Sequence, residues 1–132
     1  AQREAVGRQV ISSWSQLLAY CRIGMAHEGR EQFRVLFLDV RNQLLADRVL
    51  GTGTIDQAPV YPREVAKQAL SHNAAAVILV HNHPSGDTRP SAADIAITKA
   101  VVAALAPLSI QVHDHLIIGA RGESSFKALG LL

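Results

Sequence analysis

An uninterrupted apolar run from Ala74 to Val80 leads straight into His81-Asn82-His83-Pro84. A run of that length is far too short to cross a bilayer and suits a strand buried on both faces. We place the strand at Ala75 to His81, with Pro84 as its stop. The chain must then fold so that two imidazoles emerge at the end of a covered strand, where α/β folds commonly place their chemistry.

The flanking segments fit such a sheet. Glu31 to Val40 reads as a second strand, apolar on much of both faces, followed by a turn at Arg41-Asn42-Gln43 and a returning strand over Leu44 to Leu50. Residues 12 to 27 have helical spacing, with Trp14, Leu17, Leu18, Cys21 and Met25 as the apolar stripe and Ser12 or Ser13 as cap. Tyr61-Pro62-Arg63-Glu64 opens a helix that runs to about His72. Ser91 to Leu105 forms another, with Ile97, Val101 and Leu105 on one stripe. Ile110 to Ile118 is a last long strand, closed by Gly119, and Ser124 to Leu132 adds a short helix or an edge element. Strands alternating with helices predict an α/β domain with helices covering the sheet.

Composition narrows the functional classes. The 132 residues are 48% hydrophobic and 18% charged, which specifies a globular chain with one core. The net charge of +2 is too small to argue for nucleic acid, although a pI of about 9 leaves that partner open. No basic cluster is interleaved with aromatics. The single cysteine, Cys21, excludes a disulfide framework and any multi-cysteine zinc site, and reads as a small buried helix residue. Ala-Gln-Arg-Glu at the start carries no apolar signal region, so a cytoplasmic protein without a membrane partner is expected. The absence of an initial Met suggests a piece of something longer. No feature sets an oligomeric state.

The chemistry centres on His81, His83 and Asp94. Residues i and i+2 of an extended chain point the same way, so both imidazoles can face one metal while Asn82 turns aside. Two imidazoles and a carboxylate are the donor set of a catalytic zinc site that keeps a fourth position for water. A plainer reading stands beside it: one packed and one solvated histidine. Ser91-Ala92-Ala93-Asp94 also matches a capping box, and the two readings of Asp94 can coexist. A water activated at such a site needs a base, for which Glu31, Asp39, Glu64, Asp87 and Asp114 are candidates that spacing does not separate. Asp114 and His115, beside His113, face opposite sides of a strand and so read as structural, bonding across the sheet. Gly51-Thr52-Gly53-Thr54 lacks the third glycine and the following helix of a dinucleotide fingerprint.

His81-x-His83, with Ser91 and Asp94 following, resembles the JAMM motif of JAB/MPN-type metalloproteases. The segments Phe33 to Asp39, Gly51 to Thr54, Val60 to Glu64, His81 to Asp87 and Asp114 to Gly119 resemble the bacterial RadC-like branch, in order and spacing, over roughly residues 20 to 130. The resemblance implies a mixed sheet sandwiched between helices, a deaminase-like three-layer α/β architecture. It treats residues 1–132 as a single domain with an N-terminal helical segment over 1–28. It implies a Zn2+ ion held by His81, His83 and Asp94, with Glu31 as base and Ser91 supporting an oxyanion. The implied activity is zinc-dependent cleavage of a peptide or isopeptide amide in a protein or peptide substrate. Fuller relatives carry an N-terminal helix-hairpin-helix region, the part expected to touch DNA, which this sequence does not show.

Two other functions stand beside this one. One is a non-enzymatic module that keeps its metal for structure or partner binding, in DNA repair or recombination; the intact set with Glu31 and Ser91 favours the enzyme. The other, a zinc deaminase, needs a Pro-Cys-x-x-Cys segment that Cys21 alone does not supply.

Overall fold

The computed structural model describes residues 13–25, 28–53 and 59–132. Helix α1 (Trp14–Met25) is followed by strands β1 (Gln32–Leu38) and β2 (Leu44–Thr52), helix α2 (Pro62–Ser71), strand β3 (Ala76–Asn82), helix α3 (Ala92–Leu105), and strands β4 (Gln111–Ile118) and β5 (Glu123–Ser125). The strands form one mixed sheet in the order β2-β1-β3-β4-β5. Only β3 and β4 run parallel; β1 pairs antiparallel with both β2 and β3, and β4 with β5.

Strand alternation divides the apolar residues between two cores. Phe33, Val35 and Phe37 of β1 and Val77 and Leu79 of β3 pack with Val65 and Ala69 of α2 and Val101 and Leu105 of α3. The intervening residues, Leu36, Leu38, Ile78 and Val80, with Leu116 and Ile118 of β4, pack with Leu17, Cys21 and Met25 of α1. The result is a three-layer α/β sandwich, and all of β3 is buried. Burial of each such side chain contributes about 1.5–3 kcal/mol, which fixes the register because a one-residue slip would turn every face over.

Element ends follow local chemistry. Ser13 caps α1, its Oγ accepting the Gln16 N–H at 3.2 Å. Ser12 and the end of the expected helix at residues 26–27 lie outside the described residues, as do residues 1–11 of the expected N-terminal helical segment. Trp14, placed on the core stripe by spacing, is instead 46% exposed; the stripe that packs is Leu17, Cys21 and Met25. Pro62 opens α2 with Glu64 in its first turn. At the C-terminus, Ser124 to Leu132 resolves into the edge strand β5 and a following turn that buries Phe126. Among the described residues no helix is long and apolar enough to cross a membrane.

The parallel β3–β4 pair positions the site. A parallel pair needs a crossover, here α3, so the first turn of α3 must begin near the end of β3. That geometry sets Asp94 opposite His81 and His83.

Candidate metal centre

His81 is the penultimate residue of β3, and its neighbours in the sheet are Phe33 on β1 and Ile117 on β4. Its ring stacks on Phe33 at 5.6 Å with an interplanar angle of 9°. His83 lies just past the strand, where its N–H donates to the Ile118 carbonyl at 2.9 Å. His83 Nδ1 sits 2.6 Å from the Asp87 carbonyl. The loop that supplies this carbonyl turns at Gly86, whose φ of 91° suits glycine, and whose N–H donates to the His83 carbonyl at 2.9 Å. Gly119 lies directly beneath: a Cβ there would come within 3.1 Å of the Gly86 carbonyl oxygen and 2.8 Å of the Thr88 methyl. Asp87 and Arg89 form an exposed ion pair, and the Arg89 side chain and N–H lower the Asp87 carboxyl to about 2.

Asp94 sits in the first turn of α3 as half of a complete capping box. The Ser91 hydroxyl accepts the Asp94 N–H at 3.0 Å, and the Asp94 Oδ2 accepts the Ser91 N–H at 2.9 Å. The same carboxylate reaches the two imidazoles: Oδ1 lies 3.2 Å from His81 Nε2, and Oδ2 lies 3.2 Å from His83 Nε2. Burial would raise the Asp94 carboxyl, but His81, His83 and the Ser91 N–H outweigh it and hold it well below the usual carboxylate range. In return the Asp94 hydrogen bond raises His83 above its ordinary value, against burial and helped by the Asp87 carbonyl.

The two Nε2 atoms are themselves 2.9 Å apart. Ligand atoms in a tetrahedral zinc site, with bonds of about 2.0–2.1 Å, are separated by about 3.3–3.4 Å. The two Nε2 atoms approach that spacing, and the Asp94 carboxylate spans them, Oδ1 lying 3.2 Å from His81 Nε2 and Oδ2 3.2 Å from His83 Nε2. The donor set of imidazoles and carboxylate suits zinc and related divalent ions. Glu31 is the fourth member. It precedes β1, is 7% exposed, and offers an oxygen within 4.8 Å of the ligand atoms of His81 and His83. Two carboxylates thus converge on one pair of histidines.

Asn82 points to the opposite face, as strand alternation requires, and there it does something the sequence did not announce. Its Oδ1 accepts the Gln32 N–H at 2.7 Å, and its Nδ2 donates to the carbonyls of Arg30 at 2.9 Å and Glu28 at 3.2 Å. These bonds fasten the segment that carries Glu31 to the end of β3. A buried amide inside an apolar strand was the available signal, since such a group must find partners.

The other expected base candidates are placed elsewhere. Asp39 accepts the N–H groups of Arg41 and Gln43 in the β1–β2 turn, and Glu64 accepts from Gln68 on α2. Asp114 binds across to the C-terminal turn, accepting from the Ser125 hydroxyl at 2.6 Å and the Lys127 N–H at 3.0 Å. His113 meets Asn42 at 3.2 Å, away from the centre. His115 faces α3: Nε2 is 2.8 Å from His81 Nδ1, and Nδ1 is 2.6 Å from Thr98 Oγ1. Burial pushes this imidazole well below its ordinary value.

A three-layer α/β sandwich that brings two imidazoles and two carboxylates together at one strand end is an α/β domain with a candidate metal centre. The model of one family, the RadC-like JAB domain, matches residues 11–131. The chain belongs to that family.

Proposed function

We propose that this domain is a zinc-dependent metallohydrolase that cleaves a peptide or isopeptide amide bond. The observation that carries the reading is the convergence of His81 Nε2, His83 Nε2 and the Asp94 carboxylate at 2.9–3.2 Å, with the buried Glu31 alongside. We assign His81, His83 and Asp94 as ligands, because Asp94 stands at a coordination-sphere distance from both imidazoles. Glu31 is left for proton transfer.

A zinc ion bound there would lower the pKa of water to about 7 and polarise the scissile carbonyl. Glu31 accepts the proton of the attacking water and delivers it to the leaving amine nitrogen. Its position is kept by the Asn82 amide. The Ser91 oxygen already accepts the Asp94 N–H, so its hydroxyl proton is free to point outward. From the exposed start of α3 it donates to the developing oxyanion, a bond of the kind commonly worth about 3 kcal/mol.

The test is a peptide and isopeptide library incubated with zinc-loaded wild-type protein and Glu31→Gln. Cleavage by wild type and none by Glu31→Gln, at equal zinc content, is the expected result. A fully loaded wild type that cleaves no member of the library transfers the site to a binding role.

A further inference from the structure

The two candidate histidine ligands present the same ring nitrogen, Nε2, but different devices hold them. For His83 the device is a loop carbonyl: Asp87 can only accept, so His83 Nδ1 carries the proton. For His81 the partner is another histidine, and the answer lies further along the chain of bonds.

The hydroxyl of Thr98 lies 2.7 Å from the Asp94 carbonyl. A carbonyl accepts only, so the single hydroxyl proton of Thr98 is spent there, in a bond to the residue four positions earlier on the helix. Thr98 Oγ1 must therefore accept from His115 Nδ1 at 2.6 Å, which puts the His115 proton on Nδ1. The ring of His115 is fully buried, stacked on Phe126 at 4.4 Å with the edge of Phe33 at 5.4 Å. Its nitrogens meet Thr98 and His81 and no carboxylate among the described residues. A neutral imidazole suits such walls. Its Nε2 is then a bare acceptor, and His81 Nδ1 must donate to it at 2.8 Å. With Nδ1 committed to His115, Nε2 is the His81 nitrogen that faces Asp94 Oδ1 at 3.2 Å.

We propose that His115 and Thr98 are positioning residues of the metal centre: hydrogen bonds from the Asp94 carbonyl through Thr98 and His115 fix His81 as the Nδ1–H tautomer and free its Nε2 for the metal. The proposal rests on the ligand assignment made above. The path begins on the backbone of one ligand, Asp94, and ends on the ring of another, His81. It ties α3, β4 and β3 into one closed circuit. Metal-bound histidines commonly donate their second N–H to a carboxylate or a carbonyl. A neutral imidazole takes that place here, which adds no third buried anion beside Asp94 and Glu31.

Thr98→Val keeps the shape of the side chain and removes the acceptor. His115 is then free to carry its proton on Nε2, which would drive His81 to the opposite tautomer and protonate the ligand atom. His115→Phe removes the acceptor for His81 outright. Two measurements are combined. Long-range 1H–15N correlation spectra of the metal-free wild type read the His81 tautomer without any substitution. Zinc titration against a competing chelator reads affinity in wild type, Thr98→Val and His115→Phe.

The expected result is a His81 proton on Nδ1 in wild type and zinc affinity lower by roughly 10–100-fold in both variants. His115→Gln, whose amide oxygen can accept from His81, should recover part of that loss. A His81 Nδ1 without a proton in folded wild type, or wild-type affinity in Thr98→Val, overturns the proposal. A wild type that binds no zinc, yet holds His81 protonated on Nδ1, refutes the ligand assignment and the metal-positioning role together, while the tautomer lock stands.

Discussion

The Asp94 carboxylate accepts the Ser91 backbone N–H at 2.9 Å, so the carboxylate is held at the first turn of α3 by the helix itself. Capping and the proposed ligation share one side chain, because Oδ2 takes the Ser91 N–H while both oxygens face the imidazoles. The two duties separate on substitution. Asp94→Asn keeps an acceptor for the Ser91 N–H, so the metal-free protein should lose no more than about 1 kcal/mol of stability. Its zinc affinity should fall by more than tenfold, on the order of the larger outer-shell effects or beyond. Thermal unfolding in chelator and calorimetric zinc titration check the pair of values; unchanged affinity would remove Asp94 from the ligand set.

Zinc binding should weaken as the solution is acidified. The Asp94 hydrogen bond raises His83 above its ordinary value, so its protonated form persists to higher pH than for a free imidazole. A metal must displace that proton. Affinity is therefore highest above that raised value and declines as pH falls through it, with release of the His83 proton on zinc binding growing as the solution is acidified. Calorimetry in buffers of different ionisation enthalpy counts the proton. A pH-independent affinity between about pH 6 and pH 8 would contradict the sign.

Asn82→Ala removes the acceptor of Gln32 and the donor to Arg30 and Glu28 in one step. Leaving those backbone groups without partners costs about 1–3 kcal/mol. The effect on the site should be selective. Zinc content stays near that of wild type, because His81 and His83 face the other side of the strand, while amide cleavage falls with the loosened Glu31. Equal loss of zinc and activity would mean that Asn82 serves the whole strand end instead of the Glu31 segment.

Periodicity carried the sequence reading as far as faces and no further. The apolar run into His81 announced a covered strand, and alternation put Asn82 and His81 on opposite sides of it, as found. Ser91 and Asp94 were legible as a capping box because both halves lie within four consecutive residues. The partners of Asn82 and His115 were not legible. Those contacts join residues far apart in sequence, Gln32 to Asn82 and His81 to His115, and depend on the strand register. Trp14 shows the opposite failure. Helical spacing put it on the stripe, but at the first position of α1 it is exposed, and the stripe that packs begins one turn later at Leu17.

Cys21 should be inert in the native protein. Burial pushes its thiol up to about 12, and the side chain is 3% exposed between α1 and the sheet. Alkylation by iodoacetamide near pH 8 should be slow in the folded chain and fast in denaturant, because the thiolate is the nucleophile. Rapid labelling of the native protein, followed by mass spectrometry, would show that α1 opens readily from the sheet.

The choice between the two carboxylates is open to a single crystallographic measurement: anomalous diffraction at the zinc absorption edge from zinc-loaded crystals. One peak per chain should lie about 2.0–2.2 Å from His81 Nε2, His83 Nε2 and an Asp94 oxygen, with Glu31 beyond bonding distance. A peak bonded directly to Glu31 with Asp94 outside the coordination sphere, or no peak between the histidines, would contradict the ligand assignment and the role given to Glu31.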